Sequence, residues 1–185
     1  MSPKPLSITP NERLVLPNPS QSAALFDLIN GSREVLAPWL DWVGSIQKSQ
    51  DVRQFLFDAK RFNEGGQRCT YVVQQSQALA GLVSLVRIDW PHHRAELGFW
   101  LGLPFQGRGL GTRACQRLLA YAFDDLCLNR IALRMDAAND RSVAMAERLG
   151  FAFEGRLRQA LRQGRSYQDL LLYSLLRQEW KGIQF

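Results

Sequence analysis

The residues best suited to chemistry in this 185-residue chain form one short run, Gln106-Gly107-Arg108-Gly109-Leu110-Gly111-Thr112. It lies between an apolar strand pattern ending near Leu101 and a helical pattern starting near Gly109. Such a run makes an anion site. Backbone N–H groups at a helix N-terminus have no intrahelical acceptor and sit at the positive end of the helix dipole, and glycine lets a phosphate approach them. Two phosphate-loop patterns fit poorly. Gly102 and Gly107 have the glycine spacing of a P-loop, but Arg108 replaces its lysine and Gly109 its hydroxyl residue. A dinucleotide fingerprint fits Gly109-Leu110-Gly111-Thr112-Arg113-Ala114, with Asp136 ending the next strand. That turn should follow its strand at once, whereas about seven residues intervene here.

Charge points the same way. Up to Leu101 there are 10 Lys and Arg against 9 Asp and Glu; from Gly102 onward there are 13 against 8, so the basicity lies in the second half. All but one of those later cations are arginine, whose planar fork suits phosphate oxygens. The expectation is a phosphate-bearing partner, set against ordinary solvation for any single arginine.

With 46% hydrophobic and 22% charged residues the chain is neither disordered nor fibrous, and 185 residues suffice for one domain, 1–185, with a real core. Cys69, Cys115 and Cys127 are widely spaced in apolar stretches and read as reduced core thiols. His92 and His93 are adjacent, so no metal-ligand spacing exists and no metal is expected. No apolar segment follows Lys4 as in a signal peptide, and Thr70 to Val86 is broken by glutamines, so it reads as two strands rather than a membrane helix. A cytoplasmic protein with no membrane contact is predicted.

The elements that must position the loop follow from periodicity. Arg13 to Leu16 alternates and stops at Pro17, as an opening strand would. Helical patterns cover Ala23 to Ile29, then Val35 to Val43 with an interruption at Pro38, then Val52 to Phe62 with Ser49 as cap and Gly65-Gly66 as stop. Tyr71–Val73, Leu79–Val86 and Ala95–Leu101 read as an antiparallel meander. Beyond the loop come a helix from Leu110 to Leu126, a strand from Arg130 to Asp136, a helix from Arg141 to Leu149, and two strands, Phe151–Leu157 and Tyr167–Leu176, joined by an arginine-rich connection. The order predicts an α/β (α+β) architecture, a mixed, mostly antiparallel sheet with helices on both faces.

Gln106, Gly109 and Gly111 also fit Gln/Arg-x-x-Gly-x-Gly/Ala, and here the chain resembles the Gcn5-related N-acetyltransferase (GNAT) superfamily. The surroundings match: Glu96-Leu97-Gly98-Phe99-Trp100-Leu101 before the loop, Asn139-Asp140-Arg141-Ser142 and Arg148-Leu149-Gly150-Phe151 after it. Trp39-Leu40-Asp41-Trp42, and Phe153-Glu154-Gly155 to Tyr167-Gln168-Asp169, are similar to the RimJ/RimL branch, the ribosomal-protein N-terminal acetyltransferases.

The resemblance implies acetyl-CoA as co-substrate. The backbone of Phe99, Trp100 and Leu101 would pair with the pantetheine arm. The amides of Gly107, Arg108, Gly109, Leu110, Gly111 and Thr112 would hold the pyrophosphate, with Gln106 completing the motif, and Asn139 would reach the pantetheine side. Arg108 and Arg113 are candidates for further phosphate contacts.

Acetyl transfer needs a neutral amine, a polarised thioester and a proton for the leaving thiolate. Many GNAT enzymes use a tyrosine for that proton, at the position of Ala146 here; in the RimL-like branch a serine substitutes, which implies Ser142. Some RimL-like enzymes carry a glutamate that aligns with Leu161, so the base must lie elsewhere. Glu96, beside the expected thioester, is the candidate, with a plain strand carboxylate or a partner of Arg94 as the alternative.

Trp39 and Trp42 fall near the acceptor cleft in the family. The acceptor expected is a protein N-terminal amine, with a small amine such as a polyamine, an amino-acid derivative or an antibiotic as the alternative. An RNA-binding module, using Arg156, Arg158, Arg162 and Arg165, is a more distant alternative, and docking on a ribosome would use similar contacts. The sequence leaves monomer and dimer open.

Overall fold

The computed structural model describes residues 3–164 and 166–183. Eight strands form one sheet in the order β1-β2-β3-β4-β5-β6-β8-β7. They are β1 (Leu6–Thr9), β2 (Glu12–Val15), β3 (Cys69–Gln75), β4 (Ala78–Asp89), β5 (Arg94–Leu101), β6 (Arg130–Asp136), β7 (Ala152–Gln163) and β8 (Ser166–Leu176). Five α-helices join them: α1 (Ser22–Asn30), α2 (Arg33–Leu36), α3 (Ser49–Glu64), α4 (Leu110–Ala120) and α5 (Asp140–Arg148). Every adjacent pair is antiparallel except β5 with β6, so the sheet is mixed and mostly antiparallel, as the sequence predicts.

Period-two alternation assigns each face. Ala95 and Leu97 of β5, Ile131, Leu133 and Met135 of β6, and Leu171, Tyr173 and Leu175 of β8 point to a core shared with α4 and α5. There Leu110, Leu118 and Leu119 of α4 are at most 1% exposed, and burying each contributes roughly 1.5–3 kcal/mol. The opposite face takes Val72 and Leu82 against Leu25 and Ile29 of α1 and Val52 and Leu56 of α3. Trp100 of β5 packs against that second core, so β5 is held from both sides.

Several elements differ from expectation. β1, unassigned from the sequence, precedes the opening strand and pairs with it, Leu6 opposite Leu14. Asp51, not Ser49, satisfies the start of α3, its Oδ2 accepting from the Gln47 and Lys48 N–H groups at 2.9 and 3.0 Å. Phe55, on the expected apolar face of α3, is 42% exposed, because spacing alone does not say how much of a helix the sheet covers. The arginine-rich connection is mostly strand: β7 runs to Gln163 and pairs with β8 in a long hairpin. Cys127 is exposed, whereas Cys69 and Cys115 are core thiols as expected, and burial pushes Cys69 up to about 12. Arg165 lies outside the described residues. Among the described residues no helix is long and apolar enough to cross a membrane.

Candidate active site

The site begins with a break in the sheet. β5 pairs with β4 from Arg94 to Leu101, but with β6 only through Arg94, Ala95 and Glu96. β6 then continues to Asp136 beside β8. From Leu97 to Leu101 the edge of β5 facing β6 therefore has no strand partner. A backbone edge free inside a sheet can take an extended ligand by main-chain hydrogen bonding. Phe99, Trp100 and Leu101 all lie on it, half-buried.

The glycine run leads from that edge into α4. Gly107 and Gly109 have φ of 75° and 74°, the left-handed region that glycine enters without penalty. Gly109 is the N-cap, and its carbonyl accepts from the Arg113 N–H at 3.0 Å. Among the described residues the N–H groups of Gly107, Arg108, Gly109, Leu110, Gly111 and Thr112 donate to no carbonyl or side chain. Six consecutive amides without a partner, three of them in the first turn of a helix, have the polarity to hold an anion such as a phosphate. Gly111 also permits close packing: a Cβ there would lie 3.3 Å from Leu101 Cδ1 and 3.4 Å from Met145 Cε.

Side chains lock the loop. Gln106 Nε2 donates to the Leu101 carbonyl at 2.7 Å, and its Oε1 accepts from Arg141 at 3.2 Å, joining the end of β5 to α5. Arg113 is not free for phosphate: its guanidinium donates to Glu12 of β2 at 2.8 and 2.5 Å and to the Arg108 carbonyl at 3.3 Å. The Arg113 hydrogen bond holds Glu12 below its usual carboxylate range despite burial. The side chain of Arg108 itself is exposed.

α5 starts across the gap. Asn139 Oδ1 accepts from the Ser142 N–H at 3.1 Å, so Asn139 is its N-cap. Ser142, in the first turn, is half-buried and its hydroxyl forms no hydrogen bond among the described residues. Ala146 is fully buried.

Glu96 occupies the last rung before the strands part, opposite Ala132. Arg134 donates to both its oxygens at 2.8 and 2.9 Å, and Arg87 does so at 3.0 and 3.2 Å. Arg94 instead pairs with Asp89. Arg87 sits at the β4 bulge with φ 52°, which turns it toward Glu96. Burial raises Glu96 above the ordinary carboxylate value, and the Arg87 charge opposes that rise. The sequence signal for Arg134 was the alternation that puts Arg130, Ala132 and Arg134 on one face of β6; the register that brings that face beside Glu96 is set by the fold.

The tryptophans stand on the other flank. Trp42 packs on Trp100 with ring centroids 5.7 Å apart, and Trp39 is 39% exposed. The Pro38 carbonyl accepts from Gln163 Nε2 at 2.5 Å, so the end of the β7–β8 hairpin reaches the tryptophan segment. Glu154 and Asp169 serve as partners of Arg130 and Arg156. His92 and His93 are exposed in the β4–β5 turn.

Residues 13–152 match the family described as the acetyltransferase (GNAT) domain. The chain belongs to the GNAT acetyltransferases. This acetyltransferase is 33% identical over 165 residues to YdaF of Bacillus subtilis (strain 168), which bears the provisional name of ribosomal N-acetyltransferase, covering 89% of this chain and 90% of the relative. It is 29% identical over 150 residues, 81% of this chain and 84% of the other, to the ribosomal-protein-serine acetyltransferase of Escherichia coli (strain K12). Among solved structures it is similar to the microcin C7 self-immunity acetyltransferase MccE in complex with acetyl-CoA and AMP, with a TM-score of 0.87 and 26% identity over 91% of this chain and 94% of that one. The acetyltransferase thus has the GNAT fold predicted from its motifs.

Proposed function

We propose that this acetyltransferase binds acetyl-CoA along the parted edge of β5 and transfers the acetyl group to the N-terminal α-amine of a protein, a ribosomal protein being the acceptor class. The observation that carries it is the loss of β5–β6 pairing after Glu96 together with, beyond the end of β5, a helix start with six amides that have no partner among the described residues. Acetyl-CoA supplies the thioester. The backbone of Phe99 to Leu101 pairs with its pantetheine arm, the amides of Gly107 to Thr112 hold its pyrophosphate, and Asn139 bounds the arm from α5. Arg113 acts through Glu12 and the Arg108 carbonyl, fixing the loop rather than touching phosphate.

Ser142 donates a hydrogen bond to the departing thiolate; its hydroxyl forms no hydrogen bond among the described residues and is half-buried in the first turn of α5. Glu96 takes the amine proton through water, oriented by Arg134 and Arg87. Trp39 and Trp42 flank the acceptor. The acceptor class is supported by the relatives named for ribosomal acetylation. The reading implies one catalytic domain working in the cytoplasm, and ribosome contact through the acceptor.

The experiment is acetyl transfer from acetyl-CoA to a serine-led peptide and, separately, to spermidine. Modification of the peptide α-amine supports the proposal; transfer to spermidine alone moves the enzyme to the small-amine class.

A further inference from the structure

β7 leaves its register twice, and the second departure makes a site. Leu157 lies opposite Leu170 and Leu161 opposite Gln168, so Arg158, Gln159 and Ala160 bulge from the ladder. Gln159 has φ 51°, a conformation that costs a non-glycine residue of the order of 1 kcal/mol and persists only where neighbours impose it. Asp169 imposes it, its Oδ1 accepting from the Gln159 N–H at 2.8 Å. The result is an open concavity of about 850 Å³ lined by Arg156, Leu157, Arg158, Gln159 and Asp169.

Its charge is unbalanced. Asp169 is engaged by the Gln159 amide and by Arg156 at 3.5 Å, while Arg158 is exposed and forms no ion pair among the described residues. The concavity also adjoins the candidate active site. The Asp169 carbonyl accepts from the Ala137 N–H at 3.0 Å, two residues before the α5 cap Asn139, and the same hairpin reaches Pro38 through Gln163. It therefore lies beside the segment that leads from β6 into α5 and Ser142.

We infer that the β7 bulge is an acceptor subsite that takes a carboxylate, an Asp or Glu within the first few residues after the reactive amine, with Arg158 as the free cation and Leu157 as apolar floor. This rests on the protein-acceptor reading above. The same cations repel a polyamine, whose charges have the wrong sign. Arg158 is a specificity residue here and touches no reacting atom.

The test is kcat/KM for two peptides with the same N-terminal serine and equal length, one carrying Asp and Glu at the next positions and one carrying Lys. For the wild-type enzyme at low salt the acidic peptide should be preferred by about fivefold, with the preference shrinking as salt screens the exposed pair. In Arg158→Glu the preference should reverse while acetyl-CoA affinity stays unchanged. Equal kcat/KM for both peptides in the wild type would overturn the subsite alone. Acetylation of neither peptide, with acetyl-CoA binding intact, would overturn the protein-acceptor reading and this inference with it.

Discussion

Glu96 and Arg134 meet where β5 and β6 part, with Arg134 Nη2 donating to both Glu96 oxygens at 2.8 and 2.9 Å. The bond reaches from Glu96, the last paired residue of β5, to a β6 residue beyond the last rung, so it orients the carboxylate at the point from which the cleft opens. Arg87 completes the clamp from β4.

As a base, Glu96 must be ionised, so the rate falls as pH drops through its pKa. Burial raises that pKa and Arg87 lowers it. Arg87→Met should therefore move the acidic limb of kcat to higher pH, and Glu96→Gln should remove the limb and lower kcat by about 10²-fold. A limb unchanged in both variants would take Glu96 out of the proton path.

Ser142→Ala should lower kcat by roughly tenfold or more with acetyl-CoA affinity and melting temperature unchanged. The cap of α5 is Asn139 Oδ1, not the Ser142 hydroxyl. Asn139→Ala should instead cost about 1 kcal/mol in thermal unfolding. An unaltered kcat in Ser142→Ala would remove the serine from the mechanism.

Glu12 and Arg113 link β2 to the glycine loop, and the Glu12 side chain is only 7% exposed. Arg113→Met leaves that carboxylate buried without its cation, which should cost about 3 kcal/mol in denaturant unfolding. Glu12→Gln, remote from any phosphate, should weaken acetyl-CoA binding by loosening the Arg113 hold on the Arg108 carbonyl. Binding that tightens in Glu12→Gln would mean that the released Arg113 contacts phosphate directly.

Glu154 is held at about 2, against an ordinary 4.5, by hydrogen bonds from Arg130 and Ser174. A depressed carboxylate pKa contributes stability that is full above the unfolded value and lost as pH falls toward the folded one. Acid unfolding should therefore show a loss between about pH 4.5 and 2 that Arg130→Met reduces. With both side chains about a third exposed, the pair contributes about 1 kcal/mol at neutral pH. An acid profile identical in Arg130→Met would contradict this assignment.

β6, α3 and α4 were legible because burial on one face imposes a period on the sequence, whereas β3 and the middle of β4, buried on both faces, were legible as aliphatic runs around a turn. The Gly107 to Thr112 loop was legible because its chemistry is local, glycine beside a helix start. What was not legible depends on contacts distant in sequence. Arg113 is 101 residues from Glu12, so nothing near the loop marks it as engaged. The end of β5–β6 pairing is a property of two strands separated by a whole helix, and the β7 bulge is set by Asp169 on the next strand. Cys127 looked like a core thiol from its neighbours, yet it lies in a turn with φ 53° that faces outward.

The most direct measurement is a calorimetric titration of acetyl-CoA into the wild-type enzyme and into Gly109→Val. At φ 74° a β-branched residue is strongly disfavoured, and the free amides of the loop would lose their arrangement. The account predicts stoichiometric binding by the wild type and, at a temperature where a thermal melt shows the variant fully folded, a loss of affinity of about a hundredfold or more in the variant, near 2.7 kcal/mol. Equal affinity in the two proteins would contradict the placement of acetyl-CoA at the start of α4.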